Sequence, residues 1–472
     1  MKQSANRLWE SWHLIFAGYL VSFFLTVGAD SPPHYFFRLW FGVFLLAAFF
    51  LLCLPGLISG KEIALSMRPC GSLLVFSAFT GFEIIRFFTP DLAVRDAGVL
   101  ARWVFYLFFF GLSFSVFTAK KDVRRLLNVM SWSGLFVALN ALPPLLMKGR
   151  PGYVPSAVKG GFFHPVFYFH PWVSHYLLSR FAHKNWTGDV MAFGLFPLLG
   201  LIFYSLDRWK GPDPRRLSVL ATRLTAALLT AAAILLLSSR GTTVFLAGSF
   251  MVFLLFLLFK FFSGRQLVFT VSVFVLIAGF AVWAGDFDKV RKRLATLQTI
   301  EVQAFKNNQE TDPYQSRSVY TNIEGAKRAL RIYHDHPVWG VGTGGYAAVS
   351  EKYATPGLEK ANTLSKFAAM CFYLQLLAEE GMGAYLYFLF LAVYLVEMGW
   401  GLFKTKSRFK FIAALSLFCP VLLVFGHASI NHLMQNFSFS MLVYISMGAS
   451  LAVLRPDFQH EVKNVSLTNS PT

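Results

Sequence analysis

Acidic residues are scarce in this 472-residue sequence, with 24 Asp and Glu against 43 Lys and Arg. Charged residues of both signs make up only 14%, where a soluble domain carries about a quarter. Water is therefore not the main solvent of the chain. Cysteine is equally sparse. Cys53, Cys70, Cys371 and Cys419 lie singly in or beside apolar runs, with neither the spacing of a metal site nor the density of a disulfide framework. No metal and no cofactor are expected. The sequence also lacks an internal repeat, a low-complexity tract and the alternating pattern of a membrane barrel.

What is present is apolar. Hydrophobic residues make up 56% of the chain and Phe alone numbers 53. The net charge of +19 is compatible with nucleic-acid binding only if a soluble domain carries a basic face. Here Lys and Arg instead form short clusters between apolar runs, so no nucleic acid is expected as a partner. A helical span needs about 20 mostly apolar residues. Such runs lie near 13–29, 37–59, 71–88, 98–118, 126–147, 188–206, 217–238, 242–263, 266–285, 371–399, 409–427 and 433–454. The expected fold is an all-α polytopic membrane protein of roughly twelve spans, with a large, partly helical extracytoplasmic loop before the tenth.

Orientation follows from the basic clusters. Lys120, Lys121, Arg124 and Arg125 form one, Arg208, Lys210, Arg215 and Arg216 another, and Lys404, Lys406, Arg408 and Lys410 a third. With Lys61, Arg68, Lys260 and Arg265 they fall in alternate loops, which places both termini in the cytoplasm. The first run, ending at Ala29, resembles a signal peptide, but the many later spans favour a retained helix. The organisation read from sequence is nine spans over 1–285, a loop over 286–370, three spans over 371–454 and a cytoplasmic tail over 455–472. An earlier loop, about 148–187, and the 286–370 loop lie on the extracytoplasmic side. A loop as long as the second is usually functional.

Five segments carry the candidate chemistry. Arg240, in Ser238-Ser239-Arg240-Gly241-Thr242, sits in a minimal turn between two apolar runs on the side that positive charge normally avoids. As a boundary residue it snorkels to water; as a functional one it presents a guanidinium suited to phosphate. Arg317 precedes a helix-like segment, Ser318 to Tyr333. His336-Pro337-Val338-Trp339-Gly340-Val341-Gly342-Thr343-Gly344 has the glycine spacing of a dinucleotide loop but no preceding strand. It reads as a tight turn, either closing a helix or offering the N–H groups around Gly342 and Gly344 to an anion. Arg180, His183 and Asn185 enter the sixth span. Tyr373, Gln375 and Glu379 enter the tenth, with Gln375 and Glu379 on one helix face; the alternative is that 371–381 lies along the membrane surface.

In this order and topology the segments resemble the O-antigen ligase and surface-polysaccharide polymerase superfamily. The likeness is most specific at Ser239-Arg240-Gly241, at Arg317 with the Pro337 to Gly344 turn, and at Tyr373-Leu-Gln-Leu-Leu-Ala-Glu379-Glu380-Gly381; Arg180 to Gly188 matches more loosely. It spans about residues 175–400. The resemblance implies transfer of a glycan from undecaprenyl diphosphate to an acceptor sugar at the outer face of a bacterial inner membrane, without metal or nucleotide. Arg240 and Arg317 would bind the donor diphosphate and stabilise its developing charge. One position departs from the family. Ligases, and many polymerases, carry His-Asn before the Tyr-Leu-Gln segment, where this chain has Met370 and Cys371, neither a plausible base. Glu379, His183, His334, His336, His427 and His432 are the remaining candidates.

The expected function is therefore polymerisation of O-antigen or exopolysaccharide repeat units. The nearest alternative is a ligase that attaches finished chains to lipid A–core. A third reading is a transporter or flippase of lipid-linked sugars, although the halves of the sequence show no repeat symmetry. Expected partners are the lipid-linked glycan, the acceptor glycan or lipid A–core, membrane lipid, and a flippase and chain-length regulator.

Overall fold

A computed structural model of the chain describes residues 70–89, 96–147, 184–207, 213–237, 239–261, 313–355, 368–431 and 437–458, with isolated residues 272 and 434. Its elements are α1 (Gly71–Phe87), α2 (Ala97–Val116), α3 (Lys120–Met147), α4 (Lys184–Asp207), α5 (Pro214–Leu236), α6 (Arg240–Phe261), α7 (Pro313–Asp335), α8 (Tyr346–Val349) continued by a 3-10 turn (Ser350–Tyr353), α9 (Phe372–Glu380), α10 (Gly383–Lys404), α11 (Arg408–Ala428) and α12 (Phe437–Leu454). No strand occurs among the described residues. Six of these helices, α2, α4, α5, α6, α10 and α11, are long and apolar enough to cross a membrane. The described residues are those of a helical membrane protein. The runs expected at 13–29, 37–59 and 266–285 lie outside the described residues, as does most of the 148–187 loop.

The helices begin where the sequence provides caps. Asp96 accepts from Gly98 N at 2.8 Å to start α2, and Asp213 accepts from Arg215 N at 3.0 Å beside Pro214 to start α5. Two groups of helices form the bundle. α1, α2, α10 and α12 enclose one aromatic core, where Phe76 stacks on Phe390 at 4.4 Å and the Tyr387 and Tyr444 hydroxyls share a 2.8 Å hydrogen bond. α3, α4 and α5 form the second group. At their closest crossing a Cβ on Gly134 would lie 2.5 Å from the Cα of Gly194, the small-residue contact by which helices approach in lipid. α11 joins the groups by packing on α4, α6 and α12.

Contacts between helix ends fix the common polarity. At one end the Glu397 carboxylate accepts from Gly71 N at 2.6 Å, Lys260 Nζ donates to Leu402 O at 2.8 Å, Lys410 Nζ to Arg455 O at 2.8 Å, and Arg408 pairs with Asp207. Cations thus meet the carbonyl ends of helices, where the backbone dipoles favour them. The opposite end collects Arg86, Asp189, Ser239, His427 and the start of α10.

Two of the differences from the sequence reading bear on the site. The run 371–399 is not one span but α9 followed by α10, because Gly381 adopts φ +55° and reverses the chain. The helix expected from Ser318 begins at Pro313, so Arg317 lies within α7 and not ahead of it.

Candidate active site

The long turn between α7 and α8 and the reversal between α9 and α10 are built against each other. Val341 N donates to Ala378 O at 3.1 Å, Gly342 N to Glu379 O at 3.1 Å, and Met382 N to Val338 O at 3.0 Å. Such close backbone approach requires glycine. A Cβ at Gly340, whose φ is +64°, would overlap the Glu379 carbonyl, and one at Gly381 would lie 2.6 Å from Val338 O.

The turn closes on an anion supplied by the chain itself. The Glu379 carboxylate accepts from Gly344 N at 3.1 Å, from Tyr346 N at 3.3 Å and from Gln375 Nε2 at 2.9 Å. Gln375 Oε1 in turn accepts from Ala369 N at 3.2 Å. Of the N–H groups read from sequence as closing a helix or offered to an anion, that of Gly342 donates to the Glu379 carbonyl and that of Gly344 to its carboxylate. Successive N–H groups around a glycine turn do form an anion-binding concavity, but a buried glutamate fills it.

Arg86 of α1 locks this unit to the bundle. Its Nη1 donates to Trp339 O at 2.8 Å and to Glu379 O at 2.6 Å. Its Nη2 donates to Glu83 at 2.6 Å and to Glu380 and Thr343. Thr343 Oγ1 donates onward to Glu83 at 2.8 Å. Arg86, Glu83 and Glu380 are buried, so one guanidinium faces two carboxylates away from water. Buried charges persist when paired and hydrogen-bonded in this way.

α7, which carries Arg317, packs on α9. Gly325 permits the contact, since a Cβ there would lie 2.7 Å from Ala369 O, and Tyr346 Oη donates to Gly325 O at 3.1 Å. Further along α7, Glu324 accepts from Thr355 N at 2.7 Å, Thr355 Oγ1 at 2.8 Å and Arg328 Nε at 3.1 Å. Burial alone would raise the Glu324 pKa, but the donors from Thr355 and Arg328 outweigh it and hold the carboxyl below its ordinary value.

The second part of the site is the start of α6. Ser239 caps the helix, its Oγ accepting from Thr242 N at 3.3 Å, and Arg240 is the first helical residue. Beneath this turn lies Asp189 of α4. Its two oxygens meet Thr242 Oγ1 at 2.8 Å and His427 Nδ1 at 2.8 Å. A link to α9 completes the arrangement, Tyr373 Oη donating to Phe425 O at 2.7 Å. Through α11, the Arg240 turn and the return helix therefore share one end of the bundle.

Of the residues singled out from sequence, Glu379, Gln375, Gly342 and Gly344 come together in the turn. Tyr373 joins α9 to α11. His336 is exposed, its Nε2 3.4 Å from the Tyr353 hydroxyl. Arg240, Arg317 and Asn185 are placed by their backbones in α6, α7 and α4, while Arg180, His183 and His432 lie outside the described residues. Residues 225–391 match the family model described as O-antigen ligase. Over that segment the chain is similar to the O-antigen ligase family. No curated protein matches the chain. The matched segment runs from mid-α5 into α10, so it contains Arg240, Arg317, the glycine turn and Glu379. It leaves out Arg86, Asp189 and His427.

Sequence reading passed over Arg86 and Glu83, and quoted Thr343 and Glu380 within their motifs without giving either a role. The signal was present as an acid and a base three residues apart inside an apolar run, since ionisable groups in spans default to function or pairing. Asp189 offered the same signal at the start of the sixth run.

Proposed function

We propose that the chain transfers glycans from a polyprenyl diphosphate carrier at the extracytoplasmic face of the bacterial inner membrane, with both termini in the cytoplasm, and that it polymerises surface-polysaccharide repeat units. The carrying observation is that Arg240 starts α6 at the bundle end where α9 returns, while Arg317 rides on the helix packed against α9. A helix N-terminus adds its dipole to the Arg240 charge, a combination suited to phosphate oxygens. An acceptor hydroxyl attacks the anomeric carbon of the donor and the bond from that carbon to the diphosphate oxygen breaks. The hydroxyl proton passes to a base, and the lipid diphosphate leaves with the electron pair. Cationic groups at the diphosphate stabilise that departing charge.

In this reading the glycine turn, Glu379 and Gln375 form the framework that presents α7, and neither metal nor nucleotide takes part. Arg240→Ala and Arg317→Ala each abolish long-chain polymer with membrane expression intact, and Lys at either position also fails because the paired contacts of a guanidinium are lost. Normal polymer length in both Ala variants defeats the assignment. Activity that chelator abolishes and added metal restores defeats metal independence.

The ligase reading is favoured by the description of the matched family. The lipid on which finished polymer ends separates the two: undecaprenyl diphosphate for a polymerase, lipid A–core for a ligase. Turnover of lipid-linked donor in detergent, without a gradient, excludes a transporter.

A further inference from the structure

Asp189 and His427 are both buried, at 0% and 1% exposure, at the outer ends of two helices beside the start of a third. They come from α4 and α11, which lie outside the segment that matches the O-antigen ligase family. Each Asp189 oxygen has its own partner, Thr242 Oγ1 on α6 and His427 Nδ1 on α11. The carboxylate therefore bridges three helices. Packing around it is tight. A Cβ at Gly188 would lie 2.9 Å from Thr242 Cγ2, one at Gly241 would overlap His427 Nε2, and one at Gly426 would overlap the Phe245 ring. Phe245 stacks on the imidazole at 5.9 Å between ring centroids. Gly241, which the imidazole covers, is the residue after Arg240.

Three apolar side chains would hold such a junction without the cost of desolvating an acid and an imidazole. What they would not supply is direction. Hydrogen bonds to both carboxylate oxygens fix rotation and height of the first turn of α6, and with it the backbone from which Arg240 projects. The imidazole, covered by Gly241, is closed to an acceptor sugar, so this geometry does not make it a base.

We propose that Asp189 and His427 are positioning residues that hold the first turn of α6 so that Arg240 meets the diphosphate of the lipid donor. The proposal rests on the diphosphate reading above. It predicts that the dyad and Arg240 act as one unit on diphosphate affinity, while the dyad makes no contact with the ligand.

The test is titration of purified full-length protein in detergent with undecaprenyl diphosphate, alongside thermal unfolding. Arg240→Ala is expected to weaken binding at least tenfold, His427→Ala by a similar factor and Thr242→Val severalfold. The double variant His427→Ala/Arg240→Ala is expected to bind no more weakly than Arg240→Ala alone, because the dyad acts only through that arginine. His427→Asn, whose Nδ2 can replace the Nδ1 donor, is expected to recover most of the affinity. Wild-type affinity in both His427→Ala and Thr242→Val overturns the positioning role. So does a double-variant loss equal to the product of the single losses, or a loss that follows the fraction of unfolded protein. If Arg240→Ala binds as tightly as wild type, the diphosphate reading itself falls, and the positioning role with it. Arg240→Ala weakening while His427→Ala and Thr242→Val do not removes only the positioning role.

Discussion

Arg86 donates to the main-chain carbonyl of Glu379 at 2.6 Å across a sequence separation of 293 residues. The same side chain holds Trp339 O and the Glu380 carboxylate. A single residue of α1 therefore anchors both strands of the turn on which the candidate site is built.

Removing that anchor strands two acids in the bundle. Arg86→Met is expected to cost roughly 3–5 kcal/mol, as when one partner of a buried ion pair is removed. Adding Glu83→Gln and Glu380→Gln should restore much of the loss, because no uncompensated charge remains. Thermal unfolding in detergent reads both effects. A triple variant less stable than Arg86→Met contradicts this account.

Gly340→Ala and Gly381→Ala force a side chain into positive φ and against main-chain atoms. Each is expected to lose at least about 1–3 kcal/mol and most polymer formation. Gly248 of α6 has open space where its Cβ would be. Gly248→Ala is therefore the control, expected to be neutral or to gain up to about 1 kcal/mol. Equal unfolding midpoints for all three variants would remove the close-approach argument.

Glu379→Gln distinguishes anchor from base. An amide can accept from only one of the two N–H groups and turns a donor towards the other. The expected result is a loss of about 1–3 kcal/mol with faster amide exchange at Gly344 and Tyr346. A variant that unfolds like wild type yet makes no polymer would instead mark Glu379 as a proton acceptor.

Acid should release Thr355 from α7. Thr355 and Arg328 hold the Glu324 carboxyl below its ordinary value despite its burial. Its contribution is complete above the unfolded carboxylate pKa, about 4.3, and is lost as pH falls through the lower folded-state value. Protection of the Thr355 amide from exchange should fall over that acidic window in wild type. Glu324→Gln should have low protection at neutral pH too. Protection independent of pH in wild type sinks the account.

Met370 adopts φ +57°, a conformation that disfavours residues with a Cβ by about 1–2 kcal/mol and that Asn tolerates better. Met370→Asn is expected to raise the unfolding midpoint. A lowered midpoint would mean that the thioether makes contacts worth more than the backbone strain.

Long apolar runs made the helical fold legible, because span length and apolarity are properties of contiguous sequence. Basic residues from separate clusters meet at one end of the bundle, through Arg408 with Asp207 and Lys260 with Leu402 O. The glycine turn was also legible, but its partner was not. Nothing local indicates that Glu379 rather than a ligand would take the N–H groups of Gly344 and Tyr346. The break at Gly381 was hidden because α9 and α10 are both apolar, and hydropathy does not register a change of direction. Arg86 with Glu380, and Asp189 with His427, join residues hundreds of positions apart, beyond the reach of periodicity or spacing.

The Glu83–Arg86 pair has a consequence for biosynthesis. Ribosomes deliver α1 to the translocon long before they reach Glu380, 294 positions downstream of Arg86. A lone arginine costs about 2.5–3.5 kcal/mol on insertion at mid-membrane and less at a helix end, where Arg86 sits in the last turn of α1. Glu83 is one helical turn away, with its carboxylate 2.6 Å from the guanidinium, so acid and base enter the bilayer together as a neutral unit. The nascent helix thus carries its own escort, and the later arrival of Glu380 converts a device for insertion into a clasp between the two ends of translation.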